Sequence, residues 1–261
     1  MRKAGFYFII LLANIIQGIT GFAGTILAMP ASVLLVGEGV ARPVLNVLGL
    51  LSGVYVFAGN RKSVDRGELG RILPVMTAGI LAGLGIRALL AGKEKALYLA
   101  LGGFVLVLAA RGLYRQLAGA ERRRRQRGEA GGEMSAQRSV GLGRRAGDLA
   151  LLLGAGVAHG IFVSGGPLLI GYLTGRLRDK TVFRATISTV WIVLNSLILL
   201  GDIREGLWNA DCLRTLAVAV PFLTGGMLIG GRLYRIMSQR AFLILTYVLL
   251  ALSGGLLFFK V

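Results

Sequence analysis

The chain has 261 residues, 55% of them hydrophobic, with a mean hydropathy of +0.72 and a formal net charge of +18. This composition excludes an ordinary water-soluble domain, whose elements would each keep a polar face toward water. It also argues against nucleic acid as the partner of the positive charge, because the cations lie in short loops between apolar runs, where the positive-inside rule places them.

Met1-Arg2-Lys3 ahead of an apolar run imitates a signal peptide, but no small-residue cleavage site follows, and the segment is expected to stay in the mature protein. The first long apolar stretch, residues 5–36, is interrupted by Gln17-Gly18-Ile19-Thr20-Gly21-Phe22-Ala23-Gly24. Runs at 42–58, 72–90 and 96–110 follow, each near the roughly 20 residues a spanning helix needs. Residues 115–146 contain Glu121-Arg122-Arg123-Arg124-Arg125-Gln126-Arg127 and have no apolar face, so they read as a hydrophilic linker. A second interrupted stretch, 149–172, is broken by His159-Gly160-Ile161-Phe162-Val163-Ser164-Gly165-Gly166-Pro167, and runs at 186–200, 213–231 and 241–259 complete the chain.

The chain also matches itself. An offset of 142 residues lays Gln17 on His159, Gly18 on Gly160, Gly24 on Gly166 and Arg42 on Arg184 without a gap. An offset of 147 lays Pro74, Thr77, Gly79 and Gly83 on Pro221, Thr224, Gly226 and Gly230. Matched Pro, Arg, Thr and Gly in order argue for duplication. The expected organisation is an N-terminal transmembrane repeat over 1–114, a basic linker over 115–146 and a C-terminal repeat over 147–261.

Charge orients the copies. With the arginine-rich linker cytoplasmic, a continuous crossing over 149–172 would put Arg176, Arg178, Lys180 and Arg184 outside, against the positive-inside rule. A re-entrant hairpin keeps them inside, with the acidic 201–211 loop outside and Arg232, Arg235 and Arg240 inside. The same model for the first copy puts the N-terminus outside, with Arg2 and Lys3 its one poor fit. The expected fold is therefore an all-α polytopic membrane protein of two inverted-topology repeats, each a broken re-entrant hairpin plus three transmembrane helices.

Non-helical backbone inside a membrane is tolerated only in protein or beside a cavity, and a helix that starts there presents free N–H groups and the positive end of its dipole. The breaks should therefore hold a small anion near the midplane, where inverted repeats place their substrates. The candidate substrate-binding residues are Gln17, Gly18, Thr20, Gly21, Gly24 and Thr25 in the first copy, and His159, Gly160, Ser164, Gly165 and Gly166 in the second. Glycines admit close backbone approach, and the polar side chains supply donors. Arg42 and Arg184 are equivalent cations that would attract anions or gate the two ends, although arginines at helix starts often only snorkel to the interface. His159 would bind the anion, carry a proton or pack. Asn46 and Asn195 would bond between helices or line a cavity. No metal or cofactor is expected.

The run Gly18-Ile19-Thr20-Gly21-Phe22-Ala23-Gly24 continuing to Met29-Pro30, with Gly160 through Ser164-Gly165-Gly166-Pro167-Leu168, resembles the paired glycine-rich signatures of the TauE/SafE sulfite-exporter family. The resemblance spans nearly the whole chain as a two-copy layout, though Phe162 and Val163 stand where the first copy has Thr20 and Gly21. It implies export of sulfite, an organosulfonate or a related anion across the bacterial inner membrane, with protons as a possible coupling ion. An anion channel and a non-transporting membrane scaffold are the alternatives. An intramembrane hydrolase built on Ser164 and His159 is disfavoured, since the two are five residues apart across a glycine turn with no third group to orient the base. The expectation is no enzyme.

Overall fold

A computed structural model describes residues 2–89, 99, 102–103, 105–114, 142–162, 166–177 and 179–258. Most of the 115–146 linker, and Ser164 and Gly165 of the second break, lie outside the described residues. The elements are α1 (Arg2–Thr20), α2 (Ala23–Val36), α3 (Glu38–Asn60), a 3-10 turn (Arg61–Ser63), α4 (Arg66–Leu89), α5 (Leu142–Phe162), α6 (Gly166–Arg176), α7 (Lys180–Arg204), α8 (Ala210–Ile236) and α9 (Gln239–Phe258). A further apolar helix covers Val105–Tyr114. Each of the six uninterrupted apolar runs falls wholly or partly within a helix.

Among the described residues, four helical segments are long and apolar enough to cross a membrane: Arg2–Thr20, Gly39–Ser63, Lys180–Arg204 and Ala210–Ile236. The ends of these helices follow local chemistry. Asp179 accepts from the amides of Thr181 and Val182 to start α7, and Asn209 accepts from Cys212 to start α8. Gly37, at φ +79°, turns α2 into α3 in a conformation that favours glycine.

Two sequence expectations are corrected. The first break is not as wide as Gln17 to Gly24: α1 runs 19 residues through Gln17, Gly18 and Thr20, so only Gly21 and Phe22 interrupt the helix. Likewise α5 continues through His159 and Gly160 to Phe162. The 201–211 segment, read as an acidic loop, begins inside α7, which ends only at Arg204 and carries Asp202 fully buried.

The chain divides into two compact units that do not follow its sequence halves. The first comprises Met1–Thr77 with Leu173–Phe242, and the second Ala78–Tyr172 with Leu243–Val261. In the first unit α1 and α2 form an antiparallel hairpin, with Gly5 facing Leu35 and Gly24 packed on Ala13 and Gln17. Its core gathers Phe6, Ile10, Val44, Leu45, Leu48, Leu223 and Met227 from α1, α3 and α8.

Each unit contains the same glycine lock. In the first, a methyl group on Gly226 would strike the carbonyl of Leu11 and the Asn14 side chain, and one on Gly230 would strike the carbonyl of Ile15 and the backbone of Gly18. In the second, Gly79 meets Leu153 and Gly156 in this way, and Gly83 meets Val157 and Gly160. The offsets of 142 and 147 residues carry one set of contacts onto the other. Missing side chains let the helix axes approach closely, the usual device where lipid removes the hydrophobic drive for helix association. Replacing Gly230 or Gly83 with leucine is expected to cost at least about 1–3 kcal/mol through overpacking, seen as a lowered melting temperature of the detergent-solubilised protein.

Candidate functional site

The turn between α1 and α2 is the centre of the site in the first unit. Residues 17–24 are all buried. Gly21 sits at φ +83°, which favours glycine, and a methyl group there would lie 2.6 Å from Ser188 Oγ and 3.1 Å from Arg184 Cγ. Gly21→Ala is expected to lose about 1–2 kcal/mol from the left-handed backbone alone. The clash adds to this, and thermal melts would show both.

The start of α2 does not leave its amides free, as the sequence suggested it would. Thr20 Oγ1 accepts from the amides of Phe22 at 3.4 Å and Ala23 at 3.3 Å, and Gln17 Oε1 accepts from the amide of Gly24 at 2.8 Å. The Gln17 amide group donates to Ser52 Oγ at 3.0 Å, and Ser52 Oγ in turn donates to the carbonyl of Gly49 at 2.8 Å. Gln17 and Thr20 thus act as caps supplied by the preceding helix, occupying donors that an anion would otherwise meet.

Against this turn lies Arg184, on the second turn of α7. Its side chain is buried, its Nη2 donates to the carbonyl of Gly18, and its guanidinium carbon stands 4.4 Å over the Tyr234 ring. The same ring takes Lys180 Nζ at 4.6 Å, and the Tyr234 hydroxyl is 2.9 Å from Thr181 Oγ1. Arg184 Nε has no hydrogen-bond partner. Among the described residues no carboxylate pairs with Arg184. A guanidinium in an apolar bundle without a countercharge is costly, and its unused edge fits two oxygens of an oxyanion. Ser188 Oγ, now donating to the carbonyl of Gly21 at 3.3 Å, stands on the same face.

The other arginine behaves differently. Arg42 Nη2 lies 3.3 Å from Asp202 Oδ1, so its charge is answered within the protein. Arg42 and Arg184 lie at opposite ends of the antiparallel pair α3 and α7, whose seam also carries Asn46 donating to the carbonyl of Asn195 at 3.1 Å and Gly53 against Ser188. Asn46 therefore bonds between helices. Thr25 is half-buried, its Oγ1 beside Gly49 where Asn195 also points.

Gly18 and Gly160 serve the two helix locks, and Gly24 packs on α1. His159 and Gly166 are buried, on α5 and at the start of α6. The two breaks fall in separate units. Sequence reasoning missed Asp202 because a cluster of polar residues resembled a loop. The signal that finds it is the 142-residue offset, which extends without a gap as far as Asn60 on Asp202.

The helices turn Leu34, Leu213, Val218, Leu228, Ile229, Leu233 and Ile236 outward while burying Gln17, Thr20, Ser52, Arg184 and Asp202, the arrangement of a protein whose solvent is lipid. With its long apolar helices, the chain is a multi-pass helical membrane protein. The model of the family described as "Sulfite exporter TauE/SafE" matches residues 6–257, and the chain belongs to that family. No curated protein and no solved structure matches the chain.

Proposed function

We propose that the protein exports a small oxyanion, sulfite or an organosulfonate, across the inner membrane, and that the anion docks on Arg184 beside the Gly21 turn. The observation that carries this reading is the buried Arg184 guanidinium, which has no carboxylate partner among the described residues and whose Nε is free. The arriving anion supplies the missing charge and competes with Gln17 and Thr20 for the amides of Phe22, Ala23 and Gly24. Gly21 and Ser188 border its place, and Gln17 and Thr25 continue the polar lining toward the α3–α7 seam. By repeat equivalence the second copy's counterparts of Gln17, Gly18 and Gly24 are His159, Gly160 and Gly166, with Ser164 and Gly165 as its further candidates.

The topology follows the same logic. Helices α3 and α7 are repeat mates and run antiparallel, which supports inverted copies, and the α1–α2 reversal supports a hairpin whose two ends share one side. Lys3 Nζ, 2.7 Å from Asp211 Oδ1, sets the start of α1 beside the start of α8. The opposite end of the unit is basic, with Arg61, Lys62, Lys180 and Arg235, and is placed in the cytoplasm together with the linker. Arg184 is then a cytoplasmic-side receptor instead of a midplane one, the position an exporter needs for loading. The chemistry is binding and movement, with no bond made or broken.

Full-length protein reconstituted in liposomes and tested with labelled sulfite, methanesulfonate and acetate is the direct test. Flux of sulfite or sulfonate above protein-free vesicles supports the reading. Absence of flux for every anion overturns it in favour of a scaffold.

A further inference from the structure

The seam between α3 and α7 has two equivalent ends, and they differ in the charge set against the arginine. The offset that carries Arg42 onto Arg184 carries Asn46 onto Ser188 and Asn60 onto Asp202. At one end Arg42 faces the carboxylate of Asp202; the position equivalent to that carboxylate, in register with Arg184, holds the neutral amide of Asn60, which donates to the carbonyl of Val56 at 3.0 Å. The first arginine carries a resident anion and the second does not.

The resident is loosely held. The Asp202 side chain is fully buried, yet neither of its oxygens accepts a hydrogen bond, and the 3.3 Å approach of Arg42 is its one ion pair among the described residues. Arg42 Nε is likewise without a hydrogen-bond partner, while about a quarter of the side chain (25%) remains exposed. A built-in pair selected for rigidity would be bidentate and fully bonded. Few other charges bear on Asp202. From α3 it meets Arg42, on its own helix end Glu205 lies one turn on, Asp211 at the start of α8 is engaged by Lys3, and Arg61 and Lys62 of the 3-10 turn lie at the far end of α7.

We infer that Arg42 is a second oxyanion station, equivalent to the one at Arg184, and that Asp202 is its built-in occupant, displaced when a proton neutralises it. The balance is simple. A proton from water joins the Asp202 carboxylate, Arg42 is left without a countercharge, and a small oxyanion takes the vacated edge. Loss of the proton restores the carboxylate and expels the anion. One guanidinium serves two competing anions, so proton and substrate are linked at a single residue. Eighteen residues of α7, about 27 Å at 1.5 Å per residue, separate the two stations. Ser188, Gln17, Thr25, Asn195 and Asn46 supply hydrogen-bonding groups between them.

This inference rests on the anion-export reading, and its test is designed to fail separately. The probe is labelled methanesulfonate, whose own charge is constant between about pH 5 and about pH 8, bound to full-length protein in lipid nanodiscs. Arg184→Gln isolates the Arg42 station. In that background binding is expected to strengthen in acid by up to about tenfold per pH unit, the limit for one linked proton. Adding Asp202→Asn should give tight binding at every pH. Further substitution to Arg42→Gln/Asp202→Asn, which removes both charges and tests for a merely structural effect, should abolish it. Binding that is independent of pH while Asp202 is present, or an unchanged pH profile in Asp202→Asn, overturns the inference. Failure of wild-type protein to bind at about pH 8 would instead strike the Arg184 site and leave the Asp202→Asn comparison readable.

Discussion

Arg184→Gln is expected to reduce anion binding and flux roughly 30- to 5,000-fold, the effect of about 2–5 kcal/mol for truncating one side of a desolvated charge pair. The size of the effect comes from burial. In water an arginine and an oxyanion attract weakly, but inside the bundle the guanidinium has no other opposite charge among the described residues, so the substrate carries the whole of its compensation. Glutamine removes the charge and stays polar, and although its amide ends two bonds short of the Nη2 that donates to the carbonyl of Gly18, the fold should persist with a modest fall in melting temperature. Arg184→Lys should give an intermediate loss, because an ammonium keeps the charge and loses the planar fork that stacks on Tyr234 and grips two oxygens. Equal binding by wild type and Arg184→Gln would remove this residue from the site.

The converse experiment fills the station from within. Asn60→Asp places a carboxylate at the position equivalent to Asp202 and so gives Arg184 the resident anion that Arg42 already has. A tethered group competes at an effective concentration on the order of millimolar or higher, so apparent affinity for the labelled anion should fall by about tenfold or more. Protonating the new carboxylate in acid should restore binding. The change adds no bulk, since asparagine and aspartate are nearly isosteric, and Asn60 is only half-buried. A variant that binds as wild type does would show that the carboxylate cannot reach Arg184. Titration of affinity against pH in this one variant therefore checks both the register of the seam and the sign of the charge effect.

Much of the helical architecture is legible in the sequence, for physical reasons that also explain what is not. The uninterrupted runs at 42–58, 186–200 and 213–231 were legible as spans because about 20 apolar residues in a row have few other uses, and each lies in a helix long and apolar enough to cross a membrane. The broken stretches were legible because glycines clustered there, but their width was not. Gln17 and Thr20 look like groups freed by an unwound backbone, yet their side chains cap the next helix and so allow their own helix to continue. Gly18 and Gly160 belong to the glycine-rich breaks, yet both lie inside continuous helix, packed against the partner glycines Gly230 and Gly83. Local sequence does not distinguish a glycine that bends from one that admits a neighbour.

The candidate site was half visible. Arg42 and Arg184 stood out as equivalent cations, but a charge at a helix start has the same sequence signature whether it snorkels, pairs or waits for a ligand. Pairing of Arg42 with Asp202 joins the start of α3 to the end of α7 and depends on α7 continuing past Gly201, which the acidic character of the segment disguised. The difference between Asn60 and Asp202 was present in the self-comparison throughout. It acquires meaning only once the register of α3 against α7 is known, because only then does each stand opposite an arginine in a shared frame.

The central claim, that a substrate oxyanion is held by Arg184 at the turn between α1 and α2, is tested most directly by locating selenite, a heavier analogue of sulfite, in crystals of the full-length protein by anomalous scattering. A peak within hydrogen-bond reach of Arg184 and bordered by Gly21 and Ser188 is the expected result. A selenite peak elsewhere with the Arg184 edge empty would contradict the account.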